Sequence, residues 1–253
     1  ILPIQHVVSL MHAKQNPPSE QLRKKFPFKP TNGQLRFFDQ LDDFLIEEKG
    51  LERYQDCFLL TGYAGTGKTT IISTVIKVIA EYGYKSVLLA PTGRAAKVMS
   101  SYSQKVALTI HKKIYKQTSD AFSGNMSFSR QKNYHTNTLF IIDEASMITD
   151  DADFGNRSLL DDLISFVFEN TGNKLLLVGD IAQLPPVGKD LSPALDKVYL
   201  EQNYDLSVFA EELTEVMRQD ERSGILFNAT QLRTQLKSET PQVEINTKSF
   251  KDL

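Results

Sequence analysis

Short, continuous apolar runs alternate along the chain with longer segments in which apolar residues recur roughly every three or four positions. The continuous runs predict buried strands, and the recurring spacing predicts amphipathic helices. The predicted strands cover 57–60, 86–90, 139–142 and 175–178. The predicted helices cover 31–48, 68–82, 95–100, 159–169 and 225–236. Apolar strands that alternate with helices indicate an α/β fold, a parallel β-sheet with helices on both faces.

Two regions depart from this alternation. Residues 1–30 have little helical pattern and carry several prolines, so we expect an N-terminal extension there. Residues 112–137 lack helical periodicity, and Gly124-Asn125 lies at the centre of the stretch FSGNMSF. This arrangement predicts a small inserted β-hairpin subdomain.

Composition narrows the class of protein but identifies no partner. Apolar residues make up 41% of the 253 residues, and the net charge of −2 gives no general attraction to nucleic acid or membranes. Cys57 is the only cysteine, which excludes a disulfide within the chain. No apolar run approaches the roughly 18 residues of a membrane helix, and residues 1–30 lack the basic start and long apolar stretch of a signal peptide. We therefore expect a protein of the reducing cytoplasm with no membrane partner.

The most specific chemical motif joins the first predicted strand to the helix after it. GYAGTGKT (62–69) matches the phosphate-binding pattern G-x-x-x-x-G-K-[ST] in full. Backbone N–H groups of such a loop face phosphate oxygens, Lys68 would reach the β- and γ-phosphates, and the Thr69 hydroxyl would bind Mg²⁺. We expect ATP and Mg²⁺ here, and the expected ATP contacts are Gly62, Ala64, Gly65, Thr66, Gly67, Lys68, Thr69 and Thr70.

Acidic and amide residues follow the third and fourth predicted strands. Asp143 and Glu144 end the third strand, and Gln183 follows the fourth within VGDIAQLPPVG (178–188). Ligands of parallel sheets bind outside the carboxyl ends of the strands, so these side chains should meet the phosphates. We expect Asp143 to hold Mg²⁺ through water, Glu144 to orient or deprotonate the attacking water, and Gln183 to contact the γ-phosphate. A solvated helix start for the acidic pair and a proline-rich turn with a surface glutamine are the alternatives.

Several segments in this order resemble the superfamily-one helicases of the RecD-like, 5′-to-3′ branch. They are GYAGTGKTT (62–70), APTGRAAKVM (90–99), TIHK (109–112), FIIDEASMI (140–148), VGDIAQLPPVG (178–188) and LTEVMRQ (213–219). The resemblance covers about residues 31–236. It implies a P-loop NTPase with a RecA-like ATPase domain at 31–220, which hydrolyses ATP and moves along single-stranded DNA.

The resemblance also implies roles for individual residues. It assigns γ-phosphate sensing to Gln183, stabilisation of charge on the transferred phosphate to Arg218, and adenine contact to Gln34. Thr31-Asn32-Gly33-Gln34 is also a capping box at a helix start, and the two predictions for Gln34 are compatible. The residues that would line the DNA track are Thr92, Arg94, Lys97, Thr109 and His111.

The residues between 101 and 138 give a separate reason to expect nucleic acid. Their basic side chains, set against Asp120, give a net charge of +5, six minus one. They are Lys105, Lys112, Lys113, Lys116, Arg130 and Lys132, interleaved with Tyr102, Tyr115, Phe122, Phe128 and Tyr134. Basic groups can follow phosphates and aromatic faces can stack on bases. A solvated basic hairpin with ordinary packing aromatics is the alternative, and the sequence carries no motif for a strand-splitting role.

A helicase of this class binds ATP between two RecA-like domains, and the motifs of the second domain do not follow Arg218. We therefore expect residues 221–253 to be a linker helix and the start of a missing second domain. On this interpretation the chain is a fragment that binds nucleotide weakly and hydrolyses it poorly alone. Two other functions stay open: an RNA helicase of a related branch, and a non-motor P-loop regulator that binds nucleotide and a protein partner.

Overall fold

The computed structural model describes residues 16–45, 55–119, 126–154, 157–183 and 191–216, together with positions 186, 188–189, 228, 231–232 and 245. The described residues up to Glu215 belong to one compact unit. Among the helices described, none combines the length and the apolar character that a bilayer crossing requires.

The helices of this unit are α1 Pro18–Lys25, α2 Asn32–Leu45, α3 Lys68–Ile79, α4 Gly93–Ser103, α5 Ile110–Ile114, α6 Leu159–Val167 and α7 Lys197–Tyr204. The strands are β1 Gln55–Gly62, β2 Lys85–Ala90, β3 Ala107–Thr109, β4 Tyr115–Ser119, β5 Met126–Arg130, β6 Thr138–Ile142, β7 Ala152–Phe154, β8 Arg157–Ser158, β9 Lys174–Gly179 and β10 Leu206–Leu213. Short 3₁₀ turns lie at Ala80–Tyr82, Ala145–Met147 and Pro193–Leu195.

A six-stranded sheet in the order β10–β1–β9–β6–β2–β3 forms the centre of the unit, and every neighbouring pair is parallel. Successive side chains of a strand point to opposite faces. Phe58 and Leu60 of β1 pack into the core beneath α1 to α4, whereas Cys57 and Leu59 pack into the core beneath α5 to α7. The predicted α/β fold with a parallel sheet and helices on both faces is confirmed.

The strand order decides which loops meet at the carboxyl edge of the sheet. Strand β9 lies between β1 and β6, and β2 lies on the other side of β6. The loops after β1, β9 and β6 are therefore neighbours, and the segments after β2 and β3 follow along the same edge. In parallel sheets this edge is where ligands bind.

Helix α1 was not predicted from the sequence, because only Leu22 of its eight residues is a large apolar residue. Leu22 is fully buried, and the ring of Phe26 meets that of Phe38 edge-on with centroids 5.3 Å apart. Ser19 Oγ donates to an Asp42 carboxylate oxygen at 2.6 Å. This part of the predicted N-terminal extension thus packs against α2 in the main core.

Strand β10 was also not predicted, because Ser207, Glu211 and Glu212 interrupt its apolar residues. Among the described strands it lies at the edge of the sheet and pairs with β1 alone. Glu211 of this strand is held by helix α2, since Arg36 Nη2 donates to its Oε1 at 2.7 Å. Strand β3 and helix α7 were not predicted either.

The inserted hairpin is confirmed: β4 and β5 pair in antiparallel fashion, from Tyr115 opposite Arg130 to Ser119 opposite Met126. Its predicted turn at Gly124-Asn125 lies outside the described residues, as does most of the helix predicted at 225–236. Helix α4 is longer than the predicted 95–100, since it begins at Gly93 and ends at Ser103.

Candidate nucleotide and nucleic-acid site

Glycines set the curvature of the loop between β1 and α3. Gly65 and Gly67 have φ angles of 86° and 90°, where residues with a Cβ are strained. A Cβ on Gly67 would also lie 2.5 Å from Nε2 of Gln34, and one on Gly62 would lie 2.8 Å from Oγ1 of Thr66. The loop therefore has no room for side chains at Gly62 and Gly67.

Lys68 is the first residue of α3, and its side chain folds back onto the loop. Its Nζ donates to the carbonyl oxygens of Gly62 at 2.5 Å and Tyr63 at 3.0 Å. The ammonium group and the N–H groups at the start of α3 together form a positive site suited to phosphate. Of the remaining predicted contacts, Ala64 and Thr69 are exposed, whereas Thr70 is half-buried.

Gln34 is fully buried, and both ends of its amide are engaged. Its Oε1 accepts from the Thr31 N–H at 3.0 Å, while Thr31 Oγ1 accepts from the Gln34 N–H at 3.3 Å. This reciprocal pair is the predicted capping box, which is confirmed. Nε2 donates to the Thr66 carbonyl oxygen at 3.0 Å, a contact with the phosphate loop that the sequence did not indicate. The adenine contact stays a prediction.

Gln34→Ala is expected to lower the free energy of unfolding by about 2–4 kcal/mol, because it opens a cavity and leaves the buried Thr66 carbonyl without its donor. Urea denaturation measures the loss. Gln40→Ala is the matched control, since Gln40 lies on the same helix and is only half-buried, with a hydrogen bond to Glu211. Equal losses in the two variants would rule out a special role for Gln34 in bracing the loop.

Asp143 and Glu144 directly follow β6. The Oδ1 atom of Asp143 accepts from the Glu144 N–H at 3.0 Å, and its Oδ2 accepts from the Tyr102 hydroxyl at 2.7 Å. Burial, together with the Asp143 charge, raises the pKa of Tyr102 far above its ordinary value, so the hydroxyl remains a donor. Glu144 has a φ of 59°, an uncommon backbone conformation for a residue with a side chain and one that clusters at functional sites.

The electrostatic surroundings of Glu144 suit a proton acceptor. Burial raises the pKa of Glu144 above its ordinary value, and the carboxylates of Asp143 and Asp180 raise it further. A hydrogen bond from Gln183 and the charge of Lys68 partly offset this rise in pKa. A carboxylate whose pKa lies nearer neutrality is a more effective general base.

Gln183 connects the loop after β9 to the acidic pair. It hydrogen-bonds the Glu144 carboxylate, and its Oε1 accepts from the hydroxyl of Ser146 at 3.3 Å. Asp180, which is buried, shapes this loop: its Oδ1 accepts from the Ala182 N–H at 2.9 Å. Gln183 is therefore part of the acidic site rather than an isolated surface glutamine. Sequence reasoning missed Ser146, and no motif distinguished it.

A cavity of about 330 Å³ extends from the acidic pair to the first turns of α4. Its walls are formed by Thr92, Arg94, Ala95, Val98, Asp143, Glu144, Met147 and Gln183. The cavity therefore brings two of the predicted nucleic-acid residues, Thr92 and Arg94, next to the predicted catalytic residues.

The two predicted nucleic-acid segments begin helices. Thr92 caps α4 by accepting from the Ala95 N–H at 3.2 Å, and Thr109 caps α5 by accepting from the Lys112 N–H at 3.1 Å. Both threonines thus have a structural role as well. Arg94 and Lys97 are exposed. His111 is half-buried, with its ring centroid 5.7 Å from that of Tyr115.

The predicted aromatic surface for base stacking is smaller than the sequence indicated. The prediction that Tyr115 stacks on bases is wrong, because Tyr115 is buried and its hydroxyl donates to Asp162 at 2.7 Å. Tyr102 is engaged with Asp143. Phe128 and Tyr134 are 50% and 82% exposed, and the Lys132 Nζ lies 5.8 Å from the centre of the Tyr134 ring. Phe122 and the predicted catalytic Arg218 lie outside the described residues.

The parallel sheet, the glycine-rich loop that opens α3 and the acidic pair after a neighbouring strand define a P-loop nucleotide-binding domain of RecA-like architecture. Residues 49–189 match the family model described as an AAA domain. Because the match covers more than half of the chain, the chain belongs to this family.

Curated relatives agree with this assignment. An uncharacterized protein of Methanocaldococcus jannaschii is 36% identical over 140 residues, covering 51% of this chain and 11% of the relative. The ATP-dependent RecD2 DNA helicase of Deinococcus radiodurans is 32% identical over 139 residues, covering 53% of this chain and 16% of the relative. The ATP-dependent DNA helicase dda of Enterobacteria phage T4 is 29% identical over 198 residues, covering 77% of this chain and 42% of the relative. The chain thus spans less than half the length of each, and the predicted RecD-like motor-domain resemblance is confirmed.

Proposed function

We propose that this chain is the first motor domain of an ATP-dependent DNA helicase or translocase. The observation that carries the proposal is the shared sheet edge. There the phosphate loop, the acidic pair and the two threonine-capped segments lie side by side. The Deinococcus and phage T4 relatives are both named as DNA helicases, which favours DNA over RNA.

Each predicted catalytic side chain has a distinct task in ATP hydrolysis. The Lys68 ammonium offsets charge on the β- and γ-phosphates. Glu144 accepts the proton of the attacking water, which its raised pKa favours. Gln183, which hydrogen-bonds Glu144, also contacts the γ-phosphate. The position of the general base Glu144 therefore depends on whether the γ-phosphate is bound.

Mg²⁺ fits the oxygen donors at this edge, the Thr69 hydroxyl and the Asp143 carboxylate. Within the described residues, no group of three or more His, Cys, Asp or Glu side chains is placed to hold a metal. That suits a cation held by few protein ligands, because Mg²⁺ in nucleotide sites keeps several waters and binds the phosphates. When bound, the ion neutralises phosphate charge during transfer.

Contact with single-stranded DNA would be local, because the chain as a whole is slightly acidic. Exposed basic side chains lie on and after the two capped segments: Arg94, Lys97, Lys112 and Lys116. Such groups bind the phosphate backbone regardless of sequence. The exposed rings of Phe128 and Tyr134 offer faces for bases.

The complete motor also requires a second RecA-like domain, and we propose that it belongs to the same full-length protein. Arg218 would act with it on the transferred phosphate. Movement in the 5′-to-3′ direction is the prediction of the RecD-like resemblance. On this proposal the chain alone hydrolyses ATP poorly and does not unwind duplex, and robust unwinding by these 253 residues would contradict it.

Steady-state ATPase of the complete protein, with and without oligo-dT, tests the proposal. We expect oligo-dT to stimulate turnover, with a weaker response to oligo-U. Equal stimulation by oligo-U would favour an RNA motor, and no response to either would favour a P-loop regulator. Lys97→Ala should reduce the stimulation, whereas Lys77→Ala, an exposed lysine on α3, should not.

A further inference from the structure

The last turn of α4 is hydrogen-bonded to one predicted Mg²⁺ ligand, Asp143, and is linked through Ser73 to the backbone of the other, Thr69. Its Tyr102 hydroxyl donates to Asp143 Oδ2 at 2.7 Å. The Ser73 hydroxyl lies 2.9 Å from the carbonyl oxygen of Thr69 and 3.3 Å from that of Tyr102, so its single hydrogen is shared between them. One residue of α4 is therefore bonded directly to Asp143 and, through Ser73, to the backbone of Thr69.

The other end of α4 carries the predicted nucleic-acid residues. Thr92 caps the helix, and Arg94 and Lys97 follow in its first turns, exposed to solvent. The helix has 11 residues, a length of about 16 Å at 1.5 Å per residue. Because an α-helix moves largely as a rigid unit, displacement of its first turns is carried to its last.

Helix α4 is also linked to the second predicted nucleic-acid segment. The Ser100 hydroxyl donates to the Ala96 carbonyl oxygen at 2.8 Å and accepts from the Ala107 N–H at 2.8 Å. Ala107 begins β3, the strand that ends at Thr109. Movement of the segment at Thr109 is therefore transmitted through Ala107 and Ser100 to α4, the helix that carries Tyr102.

We propose that Tyr102 is a positioning residue that couples nucleic acid bound at α4 to the orientation of the Asp143 carboxylate, and through it to the affinity for Mg²⁺-nucleotide. This inference rests on the proposed function. Partners that orient a metal-binding carboxylate tune the bound metal. Hydrogen bonds between a hydroxyl and an oxygen span about 2.5–3.0 Å, so a shift of α4 by about 1 Å would break the bond that restrains Asp143.

Equilibrium binding of a fluorescent ADP analogue to the complete protein tests the inference. The Kd is measured in Mg²⁺ and in EDTA, each with and without oligo-dT. In Tyr102→Phe, which keeps the ring, we expect the affinity gain from Mg²⁺ to fall about tenfold, the usual effect of losing such a partner. The effect of oligo-dT on the Kd in Mg²⁺ should shrink toward none, and the Kd in EDTA should not change.

Tyr204→Phe is the matched control, because its hydroxyl donates to Asp161 at 2.8 Å on the opposite face of the sheet. It should leave every Kd at the wild-type value. Ser73→Ala removes the hydroxyl that joins the backbones of Thr69 and Tyr102. It should lower the affinity gain from Mg²⁺ by a smaller factor than Tyr102→Phe does, and it replaces Tyr102→Phe as the test if that variant does not fold. Wild-type Mg²⁺ and oligo-dT effects in Tyr102→Phe would overturn this inference alone. A wild-type protein whose nucleotide affinity ignores oligo-dT, although oligo-dT stimulates its ATPase, would overturn this inference alone. Loss of both responses would overturn the DNA-motor proposal as well.

Discussion

Glu144→Gln is expected to slow ATP turnover by about 10²- to 10⁴-fold while leaving ATP affinity nearly unchanged. Glutamine keeps the shape of glutamate and can still hydrogen-bond Gln183, but it cannot accept a proton from the attacking water. The surroundings of Glu144 fit this role, because burial and the neighbouring carboxylates raise its pKa toward neutrality. Steady-state kcat and an equilibrium nucleotide titration of the complete protein measure the two quantities separately.

Glu201→Gln provides the control for this experiment. Glu201 lies on α7 and pairs with Lys197 at 3.6 Å, away from the carboxyl edge of the sheet. Its replacement should leave kcat and nucleotide affinity at wild-type values. If Glu144→Gln turns over normally, the base is another group, and the role given to the acidic pair is wrong.

Lys68→Ala should reduce kcat/KM for ATP by at least about 100-fold, since charge-assisted contacts to two phosphates contribute about 3 kcal/mol or more in total. The substitution removes the ammonium that lies against Gly62 and Tyr63 and leaves the rest of the loop in place. The helix N-terminus still attracts phosphate, so weak binding should remain. ATPase kinetics over a wide range of ATP concentrations separate the loss of binding from the loss of turnover.

The same helix supplies the control for Lys68→Ala. Lys77 is exposed near the end of α3, so Lys77→Ala removes an equal charge without touching the loop. It should leave kcat/KM within about twofold of wild type, because an exposed charge at this distance is screened. A Lys68→Ala enzyme with wild-type kcat/KM would mean that the loop does not hold the phosphates in the predicted way.

The sequence by itself determined the fold class and the nucleotide loop. Central parallel strands are buried on both faces, so they must be apolar throughout, and that pattern is local. The loop needs glycines where φ is positive and a lysine at the start of the helix, so Gly65, Gly67 and Lys68 are recognisable without any neighbour. The capping box at Thr31 and Gln34 was readable for the same reason.

Only the tertiary structure decided the strand order and the contacts between distant segments. Gln34 meets Thr66 across 32 positions, and Tyr102 meets Asp143 across 41. The sequence pattern does not indicate β10, because an edge strand need not be apolar throughout, and it does not show that Tyr115 is buried. Which residues meet across the sheet depends on how strands and helices pack, and that packing has no counterpart in the local spacing of residues.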